Sequence, residues 1–414
     1  MRFISNRQIM TSCAKTSLLG LALMTLANCS SGDNTTSTTT TSSSAALQGP
    51  IVFVNNTGDK TLTSVGLRGD SGNVVLGTIA AAEFENVALG DMQFSEGEWL
   101  FMNLGAANKI ATIDPLTGAI PVHEVNLTTG TRPVHIYRDT TDGEVIWSMN
   151  DGDNAGGTLT PGDDLINCAV QTGGSVTILH NSHLGPGANP PTVIKTECLL
   201  ADGHKVAAFS SGAGVPKRVF ISSTTAGEIA VIDNDPANTA TTYRKLTARI
   251  DLCTDAGEAL NGQTPCDVNA NLANTPNTPN KSNPHGIRFS KATGKVYSIQ
   301  ENYRTIVEID PATLAVTVLA DLSTTDYTAY GISPNGRFLL LRGDTTPATG
   351  TKLGVVDLLA GGVRTDFTIP ELNGTSPGSF KFSPDGNRFY ILAGNAATAT
   401  KKDRLFAFDS STLT

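Results

Sequence analysis

The sequence has few charged and few aromatic residues, and its apolar runs are short. Charged residues make up 16% of the 414 positions and aromatic residues 6%. The apolar stretch Thr16–Ala27 has only about a dozen residues, too few for a stable transmembrane helix. Lys and Arg number 29 against 38 Asp and Glu, a net charge of −9. Because nucleic-acid binding needs a basic stripe, we expect no nucleic-acid partner.

Short motifs that mark catalysis or cofactor binding are also missing. The sequence has no G-x-S-x-G, no H-E-x-x-H, no Walker loop and no dinucleotide glycine fingerprint. It has no C-x-x-C-H for covalent haem, and its cysteine spacings fit no zinc framework. These absences exclude enzymes that a local motif would define. They leave open a site assembled from distant residues.

The N-terminus has the pattern of an export signal. Basic residues without any acid precede the apolar stretch, and Leu26-Ala27-Asn28-Cys29 follows it. This tetrapeptide resembles a bacterial lipobox, which implies removal of residues 1–28 and lipidation of Cys29. The mature protein would then be anchored to the outer membrane, on its periplasmic side or at the cell surface. The alternative is cleavage after Ala27, which would give a soluble periplasmic protein.

Residues 29–49 are rich in Ser and Thr and predict a flexible tether. From residue 50 onward the chain repeats a four-strand pattern, which is clearest in Pro284–Leu322. The predicted strands there are Ile287–Phe289, Lys295–Ile299, Thr305–Ile309 and Ala315–Leu319. Apolar residues alternate with period two, and no stretch has a convincing helical period.

Two marks recur along these repeats. The first is an apolar residue and Ser shortly before a Gly, between the first and second strands, as in Phe289-Ser290 before Gly294. The second is an apolar residue and Asp at the end of the third strand. It occurs at Ile113-Asp114, Ile232-Asp233, Ile309-Asp310, Val356-Asp357 and Phe408-Asp409. Glycine supplies the positive φ that a hairpin turn needs.

The repeats divide residues 50–414 into seven units: 50–90, 91–130, 131–203, 204–283, 284–324, 325–374 and 375–414. They predict an all-β fold, a seven-bladed β-propeller of four-stranded antiparallel blades. This region resembles the YVTN-type propellers. That resemblance implies the architecture but no single activity, because propellers serve as lactonases, dehydrogenases, ligand binders and scaffolds.

The ends of the repeat array leave its closure open. The first unit begins at its second strand, and the last unit ends after its third. Either Ala45–Gln48 supplies a strand, or the seventh blade has three strands, or the sequence is truncated.

Two long insertions, Asn150–Asn167 and Thr254–Asn283, fall in loops that share the top face of such a propeller, and Asn181–Pro191 falls on the opposite face. Loops of this length are often functional. Cys168 and Cys253 directly border these two insertions, Cys266 lies inside the second, and Cys198 is at the end of the fourth strand of the third unit. We expect the disulfides Cys168–Cys198 and Cys253–Cys266, one of three possible connectivities, since export favours oxidation.

Three histidines, His135, His204 and His285, lie near the starts of inner strands in consecutive blades. They should meet at the channel mouth near acidic residues of the first insertion. A divalent metal site is one hypothesis, and its ligands would come from Asp151, Asp153, Asp163, Asp164, His135 and His285. The alternatives are hydrogen-bonding histidines that brace neighbouring blades and a solvated, turn-rich acidic loop.

Further top-face candidates for ligand binding are Glu301, Asn302, Tyr303 and Asp344, whereas Trp99 and Trp147 are expected to be wedges between blades. The leading interpretation is an exported, membrane-tethered binding or scaffold protein for an unidentified protein or small molecule. One alternative is a periplasmic lactonase- or oxidoreductase-like enzyme that uses the channel, and another is a metal-binding protein.

Overall fold

The computed structural model divides into two compact units, residues 1–54 with 62–78 and residues 55–61 with 79–414. The residues that the structure describes are 2–3, 51–66, 74–96, 99–113, 123–152, 165–166, 173–180, 191–199, 201–260, 280–322, 327, 329–343, 351–369, 375–383, 388–395 and 404–409. None of the helices in these ranges is long and apolar enough to cross a membrane.

The first unit contains most of the first sheet. Its strands are β1 (Arg2–Phe3), β2 (Ile51–Asn56), β3 (Thr61–Gly66) and β4 (Val74–Ile79), in the order β1-β2-β3-β4. Strand β1 pairs antiparallel with β2 through Arg2 and Phe53. Because β1 belongs to the predicted signal peptide, cleavage there would leave a three-stranded sheet. Ala45–Gln48 lies outside the described residues.

The second unit contains blades two to seven. Blade two is β5 (Met92–Phe94), β6 (Leu100–Leu104), β7 (Lys109–Ile113) and β8 (His123–Asn126), and blade three is β9 (Pro133–Arg138), β10 (Val145–Asn150), β11 (Leu165–Ile166), β12 (Ser175–His180) and β13 (Thr192–Cys198). Blade four is β14 (Lys205–Ser210), β15 (Arg218–Ser223), β16 (Glu228–Asp233) and β17 (Leu246–Asp251), and blade five is β18 (Pro284–Ser290), β19 (Lys295–Gln300), β20 (Thr305–Ile309) and β21 (Val316–Asp321). Blade six is β22 (Ala329–Ile332), β23 (Phe338–Arg342), β24 (Thr351–Asp357) and β25 (Val363–Ile369), and blade seven is β26 (Thr375–Phe382), β27 (Arg388–Asn395) and β28 (Arg404–Asp409).

The predicted fold class, a seven-bladed β-propeller of antiparallel blades, is confirmed. Two blades depart from four strands within the described residues. Blade three has five, because β11, inside the predicted Asn150–Asn167 insertion, pairs in parallel with β13. Its third strand is β12, which begins at Ser175. Blade seven has three strands, one of the alternatives that the sequence left open.

The core lies between blades rather than within them. In blade four, all residues of β16 and all but the first of β15 are buried, because neighbouring blades cover both faces of these central strands. Outer strands such as β21 are largely half-buried or exposed. Trp99 packs between blades two and three, and Trp147 between blades three and four, as predicted. Burial of one such aromatic side chain contributes roughly 2–3 kcal/mol.

The first sequence mark is a turn of fixed geometry. In blade six, Ser333 Oγ accepts the N–H of Phe338 at 2.9 Å, and its carbonyl accepts the N–H of Gly336 at 2.7 Å. Gly336 has a φ of 79°, which is strained for other residues. A Cβ at this position would also lie 2.9 Å from the backbone nitrogens of Lys291 and Ala292 in blade five. Glycine is therefore needed for the turn and for blade packing.

The second sequence mark, the Asp at the end of the third strand, also shapes a turn. Asp310 Oδ1 accepts the N–H groups of Ala312 at 2.7 Å and Thr313 at 3.0 Å, which shapes the turn after β20. Its other oxygen accepts Lys295 Nζ, and this ion pair lowers the pKa of Asp310 to about 2. Arg337 and Asp357 form the equivalent pair in blade six, with Nη2 and Oδ2 2.6 Å apart. The sequence marks do not include these basic residues.

Candidate functional site

Three histidines of consecutive blades come together at the top face, the end of blades three to five at which the inner strands β9, β14 and β18 begin. His135 lies in β9, His204 directly before β14, and His285 in β18. The ring centroids of His135 and His204 are 4.8 Å apart, and those of His204 and His285 are 5.5 Å apart. These rings and their partner carboxylates, Asp91, Asp151 and Glu301, are called the histidine cluster below.

The contact between His135 and His204 joins two ring nitrogens. Their Nε2 atoms are 3.0 Å apart, which is hydrogen-bonding distance. His135 Nδ1 lies 3.4 Å from Oδ2 of Asp91, the residue directly before inner strand β5 of blade two. The side chains of His135 and His204 are 31% and 29% exposed, so solvent and small molecules can reach them.

Asp151 holds His204 from the end of the neighbouring blade. Its Oδ2 lies 2.6 Å from His204 Nδ1, and its Oδ1 accepts the N–H of Lys205 at 3.0 Å. The backbone of Asp151 is itself fixed, because its N–H donates to the carbonyl of Arg132 at 3.1 Å. Asp151 therefore has one oxygen on the ring and the other on the backbone at the start of β14, which leaves His204 little rotational freedom.

His285 has its own carboxylate within blade five. Glu301 Oε1 lies 2.9 Å from His285 Nδ1, and Glu301 Oε2 accepts from Asn283 Nδ2 at 3.2 Å. Asn283 adopts a φ of 48°, in the left-handed region that Asn tolerates better than most residues. His285 is the most exposed ring of the cluster, at 41%.

This arrangement determines which ring nitrogens carry protons. An ionised carboxylate only accepts, so each Nδ1 must donate, and each Nε2 is left to face its surroundings. Two Nε2 lone pairs that face each other at 3.0 Å can bind one proton between them. The His135–His204 pair can therefore take up one proton from a reactant and return it.

Two charged side chains of blade four, Glu228 and Lys205, are fully buried. The Glu228 side chain is fully buried and pairs with Arg249 through two contacts of 2.7 Å. Burial raises the pKa of Glu228 to about 7, although Arg249 opposes this shift. The Lys205 side chain is also fully buried, and its Nζ donates to the carbonyl of Gly203 at 2.7 Å. On blade six, burial lowers the pKa of Arg342, and the charge of Glu301 acts against that change.

The other predicted top-face residues have different environments. Tyr303 is only 4% exposed, and its hydroxyl donates to Glu258, so it is covered rather than open to a ligand. Asn302 is exposed. Asp344 lies outside the described residues.

The predicted metal site stays a prediction. Its candidate ligands Asp153, Asp163 and Asp164 lie outside the described residues. Among the residues that the structure describes, no group of three or more His, Cys, Asp or Glu side chains is arranged to hold a metal ion.

The predicted disulfides and the lipidation site also remain predictions. Cys198 and Cys253 are both buried, at the end of β13 and just after β17. Their predicted partners Cys168 and Cys266 lie outside the described residues, and so does Cys29.

A cavity of 290 Å³ opens at the opposite end of blade four, between Lys217, Asp233 and Asp235. Asp233 there is occupied in shaping its own turn, because it accepts from Asp235 N at 3.0 Å, Asn238 Nδ2 at 2.9 Å and Thr242 Oγ1. The histidine cluster is the stronger functional site, because its rings are partly exposed and their Nε2 atoms are not needed for any turn.

The sequence predicts all three histidines and two of their carboxylates, but not Asp91. Asp91 follows Gly90 and directly precedes an inner strand, which is also where His204 stands relative to β14. A search for titratable residues directly before the inner strands would therefore have identified Asp91.

Comparisons with known proteins identify the fold of this chain but do not assign it to a family. No protein-family model matches the chain, and no curated protein matches its sequence. The periplasmic gluconolactonase of Pseudomonas aeruginosa is similar in structure, with a TM-score of 0.53, 18% identity, and coverage of 88% of this chain and 93% of that one. An inferred 6-phosphogluconolactonase of Bacteroides fragilis has a TM-score of 0.53, 15% identity, and coverage of 88% and 91%. Virginiamycin B lyase of Staphylococcus aureus has a TM-score of 0.50, 11% identity, and coverage of 82% and 87%. At these identities the likeness establishes the propeller fold alone.

Proposed function

We propose that this protein is an exported enzyme that opens a cyclic ester by adding water, with the histidine cluster as its acid–base centre. The observation that carries the proposal is the 3.0 Å contact between His135 Nε2 and His204 Nε2, with a carboxylate at each Nδ1. The likeness to lactonase propellers supports lactones as the substrate class.

The proposed reaction starts with both Nδ1 atoms protonated and no proton between the two Nε2 atoms. Water attacks the ester carbonyl carbon and gives a proton to one Nε2 lone pair, and the 3.0 Å contact then shares that proton between the two rings. The bond between the carbonyl carbon and the ring oxygen then breaks, and an imidazolium N–H delivers a proton to that oxygen. The product is an open hydroxy acid, and the histidines end in their original protonation state. Asp91 and Asp151 keep each Nδ1–H in place, so that both Nε2 atoms are available to take up and share this proton.

The cluster favours an enzyme over the binding protein that the sequence pattern suggested first. A scaffold needs a broad contact surface and has no use for three partly exposed imidazoles that each carry a carboxylate partner. Such polarised histidines are typical of proton-transfer sites. A hydrolytic reaction also needs no bound nucleotide or haem, for which the sequence has no motif.

The test is hydrolysis of glucono-1,5-lactone, its 6-phosphate and γ-butyrolactone, followed by the acid that each ring opening releases. We expect catalysis of at least one lactone, and a fall in kcat/KM of about 100-fold or more in His204→Gln, which removes the central ring of the cluster. The matched control is His180→Gln. His180 lies 3.8 Å from Glu144 and is similarly exposed, at 32%, but stands at the other end of blade three.

We expect the control to retain the kcat/KM of the wild type within about twofold, since this partly exposed pair lies away from the site. A wild-type protein that opens none of the three lactones above the uncatalysed rate would refute the proposal. Equal losses in the two variants would refute the assignment of the site.

The proposed place of action is outside the cytoplasm. The basic, apolar N-terminus and the lipobox-like Leu26–Cys29 support export and a lipid anchor at Cys29. Labelling of cells with a fatty-acid analogue should tag the protein, and Cys29→Ser should abolish the label. Export without a label in the wild type would support the soluble periplasmic alternative instead.

A further inference from the structure

We infer that Tyr303 and Glu258 are positioning residues for His285: their hydrogen bond fixes the turn from which Glu301 orients the His285 ring. The inference rests on the proposed function for its kinetic consequence. Its structural part, the link from Tyr303 to the His285 ring, can be measured without any substrate.

Glu301 stands on the turn between β19 and β20, residues 301–304, and Tyr303 belongs to the same turn. Glu301 Oε1 lies 2.9 Å from His285 Nδ1, so any movement of this turn changes the hydrogen bond that orients the ring. The N–H of Glu301 donates to the carbonyl of Asn283 at 3.2 Å, which ties the turn to the segment before His285.

Tyr303 holds this turn in place through its contacts with a short helix. Its ring packs against helix α1 (Asp255–Leu260) at Gly257, where a Cβ would lie 2.4–2.5 Å from the ring carbons. No residue larger than glycine fits there unless the ring moves. The Tyr303 hydroxyl donates to Glu258 Oε1, and Cys253 Sγ lies 3.8 Å from the same hydroxyl.

Glu258 joins both flanks of the Thr254–Asn283 insertion to this anchor. Its side chain is only 5% exposed, and its Oε1 also accepts the N–H of Lys281 at 2.7 Å. The N–H of Glu258 donates to the carbonyl of Thr254 at 2.9 Å. Residues 254–258 and 281 are therefore connected through one carboxylate to the turn that carries Glu301. A buried carboxylate with several donors holds its partners in one geometry.

The test compares Tyr303→Phe with Tyr297→Phe. Tyr297 is a matched control in the same blade: its side chain is fully buried, and its hydroxyl donates to Glu308 at 2.9 Å, but at the end away from His285. Each variant loses one buried hydroxyl and one hydrogen bond to a glutamate. The readouts are the imidazole ¹H–¹⁵N signals of His285, assigned with His285→Gln, and kcat and KM for glucono-1,5-lactone.

In Tyr303→Phe we expect the His285 Nδ1–H signal to shift or broaden, with kcat about tenfold lower and KM within about twofold. Tyr297→Phe should leave the signal and kcat unchanged. Glu258→Ala removes the acceptor from the other side and should reproduce the Tyr303→Phe spectrum, whereas Glu258→Gln keeps an acceptor oxygen and should restore most of the signal.

Identical His285 spectra in the wild type, Tyr303→Phe and Glu258→Ala would overturn the inference, whatever the activity. A shifted signal in Tyr303→Phe and Glu258→Ala alone would support it, even if the wild type opened no lactone and the proposed function failed. If Tyr303→Phe does not fold, the comparison of Glu258→Ala with Glu258→Gln decides.

Discussion

Two carboxyl groups, each paired with a cation, lie at opposite ends of neighbouring blades. Their pKa values are shifted in opposite directions. Glu228, near the top face of blade four, is fully buried beside Arg249, and burial raises its pKa to about 7. Asp310, at the other end of blade five, is 29% exposed beside Lys295, and the ion pair lowers its pKa to about 2. The chemical groups are alike, so the difference comes from desolvation.

This contrast separates the two ends of the propeller. At the end of Asp310, short turns repeat from blade to blade, and their charged pairs stabilise the turns in contact with solvent. At the top face, groups that do not repeat are brought together, and some of them are buried at an energetic cost. Proteins accept such costs where a site needs them, so the top face is where function is expected.

The largest expected effect is on activity. Asp151→Asn should lower kcat/KM by about 100-fold or more, because an amide no longer fixes the His204 tautomer. Asp233→Asn makes the same substitution at the opposite end of blade four and should leave kcat/KM within about threefold. Lactone hydrolysis by both variants measures the difference. Comparable losses would contradict the division between the two ends.

The second effect concerns Glu228 and pH. Its pKa in the folded protein, about 7, is above the value of 4.5 expected when unfolded. Between these values the folded state keeps a proton that the unfolded state releases, so stability falls as pH rises through this window. The loss amounts to at most about 3 kcal/mol by the usual conversion of a pKa shift.

Urea unfolding of the wild type and Glu228→Gln at several pH values between 4 and 8 measures this loss. Gln cannot ionise, so the difference between the two stabilities should change across the window. A constant difference would mean that burial does not control the titration of Glu228.

A smaller effect is expected at the repeated turns. Gly336→Ala places a Cβ against the backbone of blade five at a φ of 79°, and we expect it to lower the free energy of unfolding by about 1–3 kcal/mol. Activity per folded molecule should not change, because the turn is far from the histidine cluster. Urea midpoints and kcat, measured on the same preparations, check both statements. A loss of kcat would show that the two ends are coupled.

The smallest effect belongs to Asp310. Its pKa in the folded protein lies below the value of 3.8 expected when unfolded, so the pair with Lys295 stabilises the fold above about pH 4, and this contribution is lost as pH falls through 2. Asp310→Asn should therefore reduce stability at pH 7 by about 1 kcal/mol, because partial exposure screens the pair. The variant should also show a weaker acid dependence. Acid titrations that run parallel to the wild type would contradict this.

The sequence predicts the propeller because each blade repeats the same local chemistry. The Phe289-Ser290 and Ile309-Asp310 marks are turns held by hydrogen bonds within a few residues, so they can be read from a short window. Strand β11 could not be predicted, since a two-residue strand is formed by pairing with β13 rather than by its own pattern. The buried state of Tyr303 was missed for a similar reason: helix α1, which covers it, comes from an insertion that the repeat does not describe.

The sequence by itself determined the all-β architecture, the number of blades and the three histidines at the starts of consecutive inner strands. Only the tertiary structure decided that Asp91 and Asp151 reach across to the histidines of the next blades and that two Nε2 atoms face each other. Turns and strand alternation depend on neighbours in the chain, whereas the cluster depends on how adjacent blades pack. That packing is set by inter-blade cores whose residues are far apart in the sequence.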